Sequence, residues 1–264
     1  MSKLLDKLER ISEGSVQPLG FGAAVARTKI APMLVIASIP AGNTQLPGIA
    51  EKAGADALLV TLENLDKENK ALSKISQARV DIPWGVALET PTPKDMERLI
   101  EAGCDFVIFA SAKTPASVLN EEKIGKVLKL DPSLPDSLAR TIHRLQVEAV
   151  LLSPASEDES TALTVHQLMV YERLGGVAGK HLLALMSLTM SSGDLESLWG
   201  IGVRGVVVDI SAEQPEQRLS EIKEAILKLP TKRKKPREKI RATLPLASVA
   251  SEKIEPDEEE EEES

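Results

Sequence analysis

The chain has 264 residues, a net charge of −8, 42% hydrophobic residues and only 2% aromatic ones. That is enough apolar material for a core in one large domain or two ordinary ones, and the core must be built from Leu, Ile, Val and Ala. The scarcity of rings excludes nucleic-acid recognition by base stacking, and the acidic balance gives no general attraction to nucleic acid or to an anionic membrane.

Cys104 is the single cysteine, so no internal disulfide forms, which fits a reducing compartment. The start, MSKLLDKLER, lacks a signal-type apolar core, and no apolar run approaches the roughly 18 residues of a membrane span. The expectation is a soluble, cytoplasmic protein with no nucleic acid and no membrane as partner.

In chain order, residues 2–12 read as a short amphipathic helix with Leu4, Leu5, Leu8 and Ile11 on one side, ended by Gly14. From Pro32 onward eight strand candidates follow: 33–39, 57–63, 84–89, 106–110, 127–131, 149–153, 182–187 and 205–210. Helical segments alternate with them at 46–53, 65–77, 93–102, 116–123, 135–145, 162–174, 195–199 and 215–229. The strands ALLVTL, FVIFA, AVLLS and GVVVD are continuous apolar runs, as in a parallel sheet covered on both faces. Gly54, Gly103 and Gly202 stand where a helix C-terminus needs positive φ.

Strict βα alternation leaves an open doubly wound sheet or a closed barrel. A count of eight and the absence of a GxGxxG turn point to a (β/α)8 barrel in residues 1–230, with the first helix plugging its N-terminal mouth. The fifth strand, KVLKLD, is the least secure, because it carries two lysines. Residues 231–264 change character. TKRKKPREKIR has seven basic residues against one acidic, and PDEEEEEES is nearly pure acid. Neither has the apolar surface to fold, so the segment reads as a disordered, solubilising tail.

Active groups in such barrels come from the C-terminal strand ends. There the sequence sets Glu63, Glu89, Asp131 and Asp209 with Lys113 and Lys129, among Ser38, Thr61, Ser153, Ser187, Thr189 and Ser211. His143 and His166 fall in helices and His181 lies at the opposite mouth, so a His-based triad or metal centre is not expected. Glu89 ranks first as general base, because Gly85 and Ala87 below it on the same face leave room for a ligand. Against that stands a role capping the next helix or pairing with a lysine. Glu63 is next, with an ion pair to Lys67 as its competing role. Lys113 and Lys129 are candidates for a Schiff-base amine or an anion counter-charge, and Lys129 shares its face with Asp131, which would suit a buried pair. No metal site is assigned, although Glu63, Glu89 and Asp209 are the oxygen ligands that Mg²⁺ would use if they converged.

The phrases APMLVIAS, AGADALLV, TPKDMERLIEAGCDFVIFA and SSGDLESLWGIGVRGVVVDIS resemble the aldolase-type TIM-barrel superfamily, over roughly Pro32 to Leu229. That group includes indole-glycerol-phosphate synthase and FMN-dependent barrels. The resemblance implies a TIM barrel and, after strands seven and eight, a phosphate-binding pair of turns. Ser191, Ser192 and Gly193 match the first turn. The second departs from the pattern, with Asp209, Ile210 and Ser211 in place of a Gly and a small polar residue.

The reading that follows is an enzyme of lyase or isomerase type acting on a small anionic metabolite, with Glu89, Glu63, Lys113, Lys129 and Asp209 as catalytic candidates. A non-catalytic binding or scaffold barrel and an FMN-dependent oxidoreductase are the alternatives. Substrate, cofactor and homo-oligomer formation are not fixed by the sequence.

Overall fold

A computed structural model describes residues 2–13, 31–66, 68, 72–75, 80–154, 162–187, 190–211 and 214–230. Gly14, Lys67, Thr189 and the expected tail 231–264 lie outside them.

Eight parallel strands close into a barrel in sequence order: β1 Leu34–Pro40, β2 Ala57–Thr61, β3 Trp84–Ala87, β4 Phe106–Ala110, β5 Gly125–Leu130, β6 Ala149–Leu152, β7 His181–Met186 and β8 Val203–Asp209. Closure is made by β8 pairing with β1, Val207 beside Ile36 and Asp209 beside Ser38. The α-helices are α1 Lys3–Glu13, α2 Leu46–Lys52, α3 Pro93–Glu101, α4 Asp136–Ala139, α5 Val165–Ala178, α6 Ser192–Gly200 and α7 Pro215–Lys228. Among the described residues, no helix is long and apolar enough to cross a membrane.

Two expected helices are weaker than their apolar spacing suggests. Ala116–Asn120 is a single 3₁₀ segment, and 135–145 divides into α4 and a 3₁₀ turn at Arg140–Arg144. Of the span 65–77, Leu65 and Asp66 form a turn and 72–75 are helical. Gly54, Gly103 and Gly202 do adopt positive φ, at 85°, 81° and 102°. There the chain reverses from helix to strand and a Cβ would be strained.

Alternation along the strands divides the apolar residues between two cores. Leu34, Ile36, Leu59, Phe106, Ile108, Val127, Leu151, Leu183 and Val207 fill the barrel interior, whereas Val35, Val60, Val86, Val107, Val150 and Val206 meet the surrounding helices. The interior can hold the large ring of Phe106 because β3 carries Gly85 beside it. A Cβ at Gly85 would stand 2.5 Å from that ring and from the Phe106 carbonyl.

Helix α1 closes the N-terminal mouth. Its Leu4 and Leu8 are fully buried in the interior cluster, each contributing about 1.5–3 kcal/mol of apolar burial. Its first turn is capped by Asp105, just before β4, whose carboxylate accepts the N–H groups of Lys3 and Leu4 and the Ser2 hydroxyl.

Both lysines of β5 have a place. Lys126, 3% exposed, donates its ammonium to the Glu121 carbonyl and sits 3.8 Å from the Glu148 carboxylate, which also accepts the Lys126 N–H. Lys129 belongs to the other face.

Candidate active site

The inward-facing series of each strand ends at the C-terminal mouth. Above the apolar layer of Ile36, Leu59, Ile108, Val127, Leu151, Leu183 and Val207, the next inward positions are Ser38, Thr61, Ala87, Ala110, Lys129, Ser153, Leu185 and Asp209. Apart from Leu185 these side chains are small or polar. Lys129 registers with Ala110 on one side and Leu151 on the other. Thr61, Lys129 and Asp209 are solvent-exposed although they continue the inward series, so water enters the mouth at their level. Among the described residues, Leu185 of β7 is the large apolar side chain at this level, partly buried against the interior cluster.

In a ring of eight strands β5 stands opposite β1. Lys129 therefore faces the Ser38 side of the mouth. There Ser38 and Thr61 share a hydroxyl–hydroxyl hydrogen bond of 3.3 Å, and Asp209 is the register neighbour of Ser38. Among the described residues the Lys129 ammonium has no hydrogen-bond or ion-pair partner, and the buried Lys129–Asp131 pair is not formed. Asp131 is exposed and accepts the N–H and hydroxyl of Ser133, which hold its carboxyl below the ordinary carboxylate range. Asp209 makes the same turn with Ser211, accepting its N–H at 2.8 Å and its hydroxyl at 2.6 Å.

Glu89 is exposed just beyond β3. It does not cap the following helix, because Thr92 and Asp95 form a complete capping box at the start of α3. Its carbonyl accepts the Ala110 N–H and the Thr114 hydroxyl, tying it to the end of β4. Glu63 is exposed, and its N–H is held by the Glu68 carboxylate. Lys113 lies in the exposed turn after β4. Thus Lys129 and Asp209 sit on the inward series itself, while Glu63, Glu89 and Lys113 stand on the turns around it. No group of acids, His or Cys with metal-holding geometry occurs among the described residues.

The Ser191–Gly193 turn has its first donors engaged internally. Ser191 caps α6, its hydroxyl accepting the Asp194 N–H, and Asp194 accepts the Ser191 N–H and hydroxyl. A carboxylate thus already occupies the positive end of the helix. Ser192 and Gly193 also line a groove between α6 and α7 shared with Glu196, Glu221 and Glu224. The Ser211 amide is likewise bound to Asp209, so each turn already carries a carboxylate, Asp194 or Asp209, which opposes a second anion such as a flavin or sugar phosphate.

Cys104 is buried in the far turn, and burial pushes its thiol well above the ordinary range. His181 is at the N-terminal mouth beside Ser12. Neither bears on the C-terminal site.

No protein-family model matches the chain, and no curated protein matches it. Among solved structures it is similar to phosphoribosyl anthranilate isomerase from Thermus thermophilus, with a TM-score of 0.56 and 14% identity over 74% of this chain and 98% of that one. It is also similar to the tryptophan synthase alpha-subunit from Pyrococcus furiosus, with a TM-score of 0.55 and 15% identity over 74% and 96%. Identities this low carry the fold alone. By backbone and closure, the chain is a TIM barrel.

Proposed function

We propose that the protein is an enzyme that binds a small anionic metabolite in the C-terminal mouth and transforms it by carboxylate and lysine chemistry of lyase or isomerase type. The observation that carries this reading is an inward-facing Lys129 whose ammonium has no partner among the described residues. It faces a water-accessible mouth, lined by Leu185 and otherwise by small and polar side chains, toward Ser38, Thr61 and Asp209. A cation without a counter-charge in a concave site is a seat for an anion. In this reading Lys129, rather than the Ser191–Gly193 turn, takes the negative group. The hydroxyl pair and Asp209 orient the other end of the ligand, and Glu89, free of a capping role, is the general base, with Glu63 and Lys113 on the rim as secondary groups. The two similar barrels, an isomerase and a synthase subunit by name, lend the reaction class an argument by analogy.

A thermal-shift screen with small carboxylates and phosphate esters tests it, since a ligand that binds only the native state raises the melting temperature. The expected result is a hit that Lys129→Met abolishes and that is turned over by the wild type but not by Glu89→Gln. A screen without hits, or hits that survive Lys129→Met unchanged, defeats the reading and favours a binding or scaffold barrel.

A further inference from the structure

We infer that the outer face of α5 is the surface through which two copies of this chain pair. Helix α5 buries Tyr171, Leu174 and Ala178 against the barrel. On the side turned away from the barrel Val165 is 75% exposed and Met169, one turn on, 65%. A helix on a barrel surface should carry polar residues there.

The exposed positions of this helix run 165, 166, 169, 172, 173 and 176, and all but the last are symmetric about Met169. When two antiparallel helices are related by a two-fold axis, a residue a given number of positions before the axis meets the one the same number after it. An axis at Met169 sets that side chain against its own copy, sets His166 against Glu172, and sets Val165 against the methylenes of Arg173. The Arg173 guanidinium is already held by Asp136 and the Pro132 carbonyl. The imidazole–carboxylate and aliphatic pairings each occur twice. The helix is thus complementary to itself, in hydrogen-bonding groups as well as in apolar surface, and this selects a second copy as the occupant.

Gly176 supports the same reading. A Cβ on its neighbour Gly175 would strike Leu182 at 2.4 Å, so packing within the chain accounts for that glycine, whereas one on Gly176 would meet nothing within 4 Å. A glycine inside a helix lowers its stability, and at this exposed position, opposite residue 162 just before the second copy's helix, it leaves room for the chain entering that helix. Leu138, 55% exposed on α4, adds apolar area beside it, toward the roughly 800 Å² per partner of a specific interface.

Sedimentation equilibrium of the full chain across micromolar concentrations tests the proposal. The expected mass is twice 28.4 kDa, falling to that of one chain in Met169→Glu with circular dichroism and melting unchanged. His166→Glu weakens association at least tenfold, and adding Glu172→Lys restores it. In Met169→Cys, mild oxidation links two chains through the new thiols, Cys104 being buried. A wild type that sediments as one chain at every concentration overturns the proposal, as does a doubled mass that survives Met169→Glu, or a Met169→Cys protein that forms no linked dimer.

Discussion

Ser2 donates its hydroxyl to the carboxylate of Asp105 at 2.8 Å, across 103 residues of chain. With the amides of Lys3 and Leu4 on the same carboxylate, Asp105 adds a second cap to the one Ser2 makes by accepting the Leu5 N–H at 3.4 Å. Asp105→Ala removes that second cap. The expected loss is about 1–2 kcal/mol, the upper range for a helix cap, measured by urea unfolding. Asp105→Asn recovers only part of it, because one oxygen becomes a donor facing donors. Unchanged stability in Asp105→Ala would mean that Leu4 and Leu8 alone seat the helix.

Gly85 is expected to be intolerant of any side chain. A methyl group would lie 2.5 Å from both the ring and the carbonyl of Phe106, and the carbonyl cannot rotate away without breaking the β3–β4 ladder. Gly85→Ala therefore lowers stability by about 1–3 kcal/mol or more, as overpacking does, whereas Gly176→Ala leaves the stability of the single chain unchanged or raises it. Thermal melting of the two variants side by side checks the contrast.

His181 makes folding sensitive to mild acid. Burial holds its pKa below the ordinary value of about 6.5. Arg204 and Lys180 act in the same direction and Glu9 opposes them, while the Ser12 hydroxyl lies 3.1 Å from its Nδ1. A depressed histidine takes up its proton in the unfolded chain first. Its contribution to stability is therefore present above about pH 6.5 and is lost as the pH falls through 6.5 toward the lower folded value. The melting temperature should drop between pH 7.5 and 5.5 by less in His181→Asn than in the wild type. Parallel curves would show that carboxylates elsewhere set the acid sensitivity.

Lys129→Met should separate ligand affinity from stability. The ammonium has no partner among the described residues, so its removal costs the fold little and a surface-level change within about 0.5 kcal/mol is expected. Loss of a charged hydrogen bond to an anion lowers affinity by about 10- to 100-fold. Lys129→Arg should retain part of the affinity because the charge is kept. Titration of any hit from the ligand screen reads both outcomes.

The strand order, the positive-φ glycines and the inward-facing rim were legible in the chain because each rests on local chemistry. Apolar runs and Gly turns recur in every βα unit, and alternation decides which residues share a face. Lys129 and Asp209 were thus placed on one rim from their position at strand C-termini, and His181 and Cys104 at the other mouth. Tertiary structure alone decided what each charged group meets, because partners distant in sequence leave no periodic trace. Asp105 reaches back to α1, Glu148 covers Lys126 across neighbouring strands, and Asp194 fills the helix end that the SSG turn had suggested for an anion. The sequence determines a barrel and which residues stand at its mouth, since both follow from periodicity. Which of those residues meets a counter-charge depends on three-dimensional neighbours, and it is the folded chain that leaves Lys129 without one among the described residues.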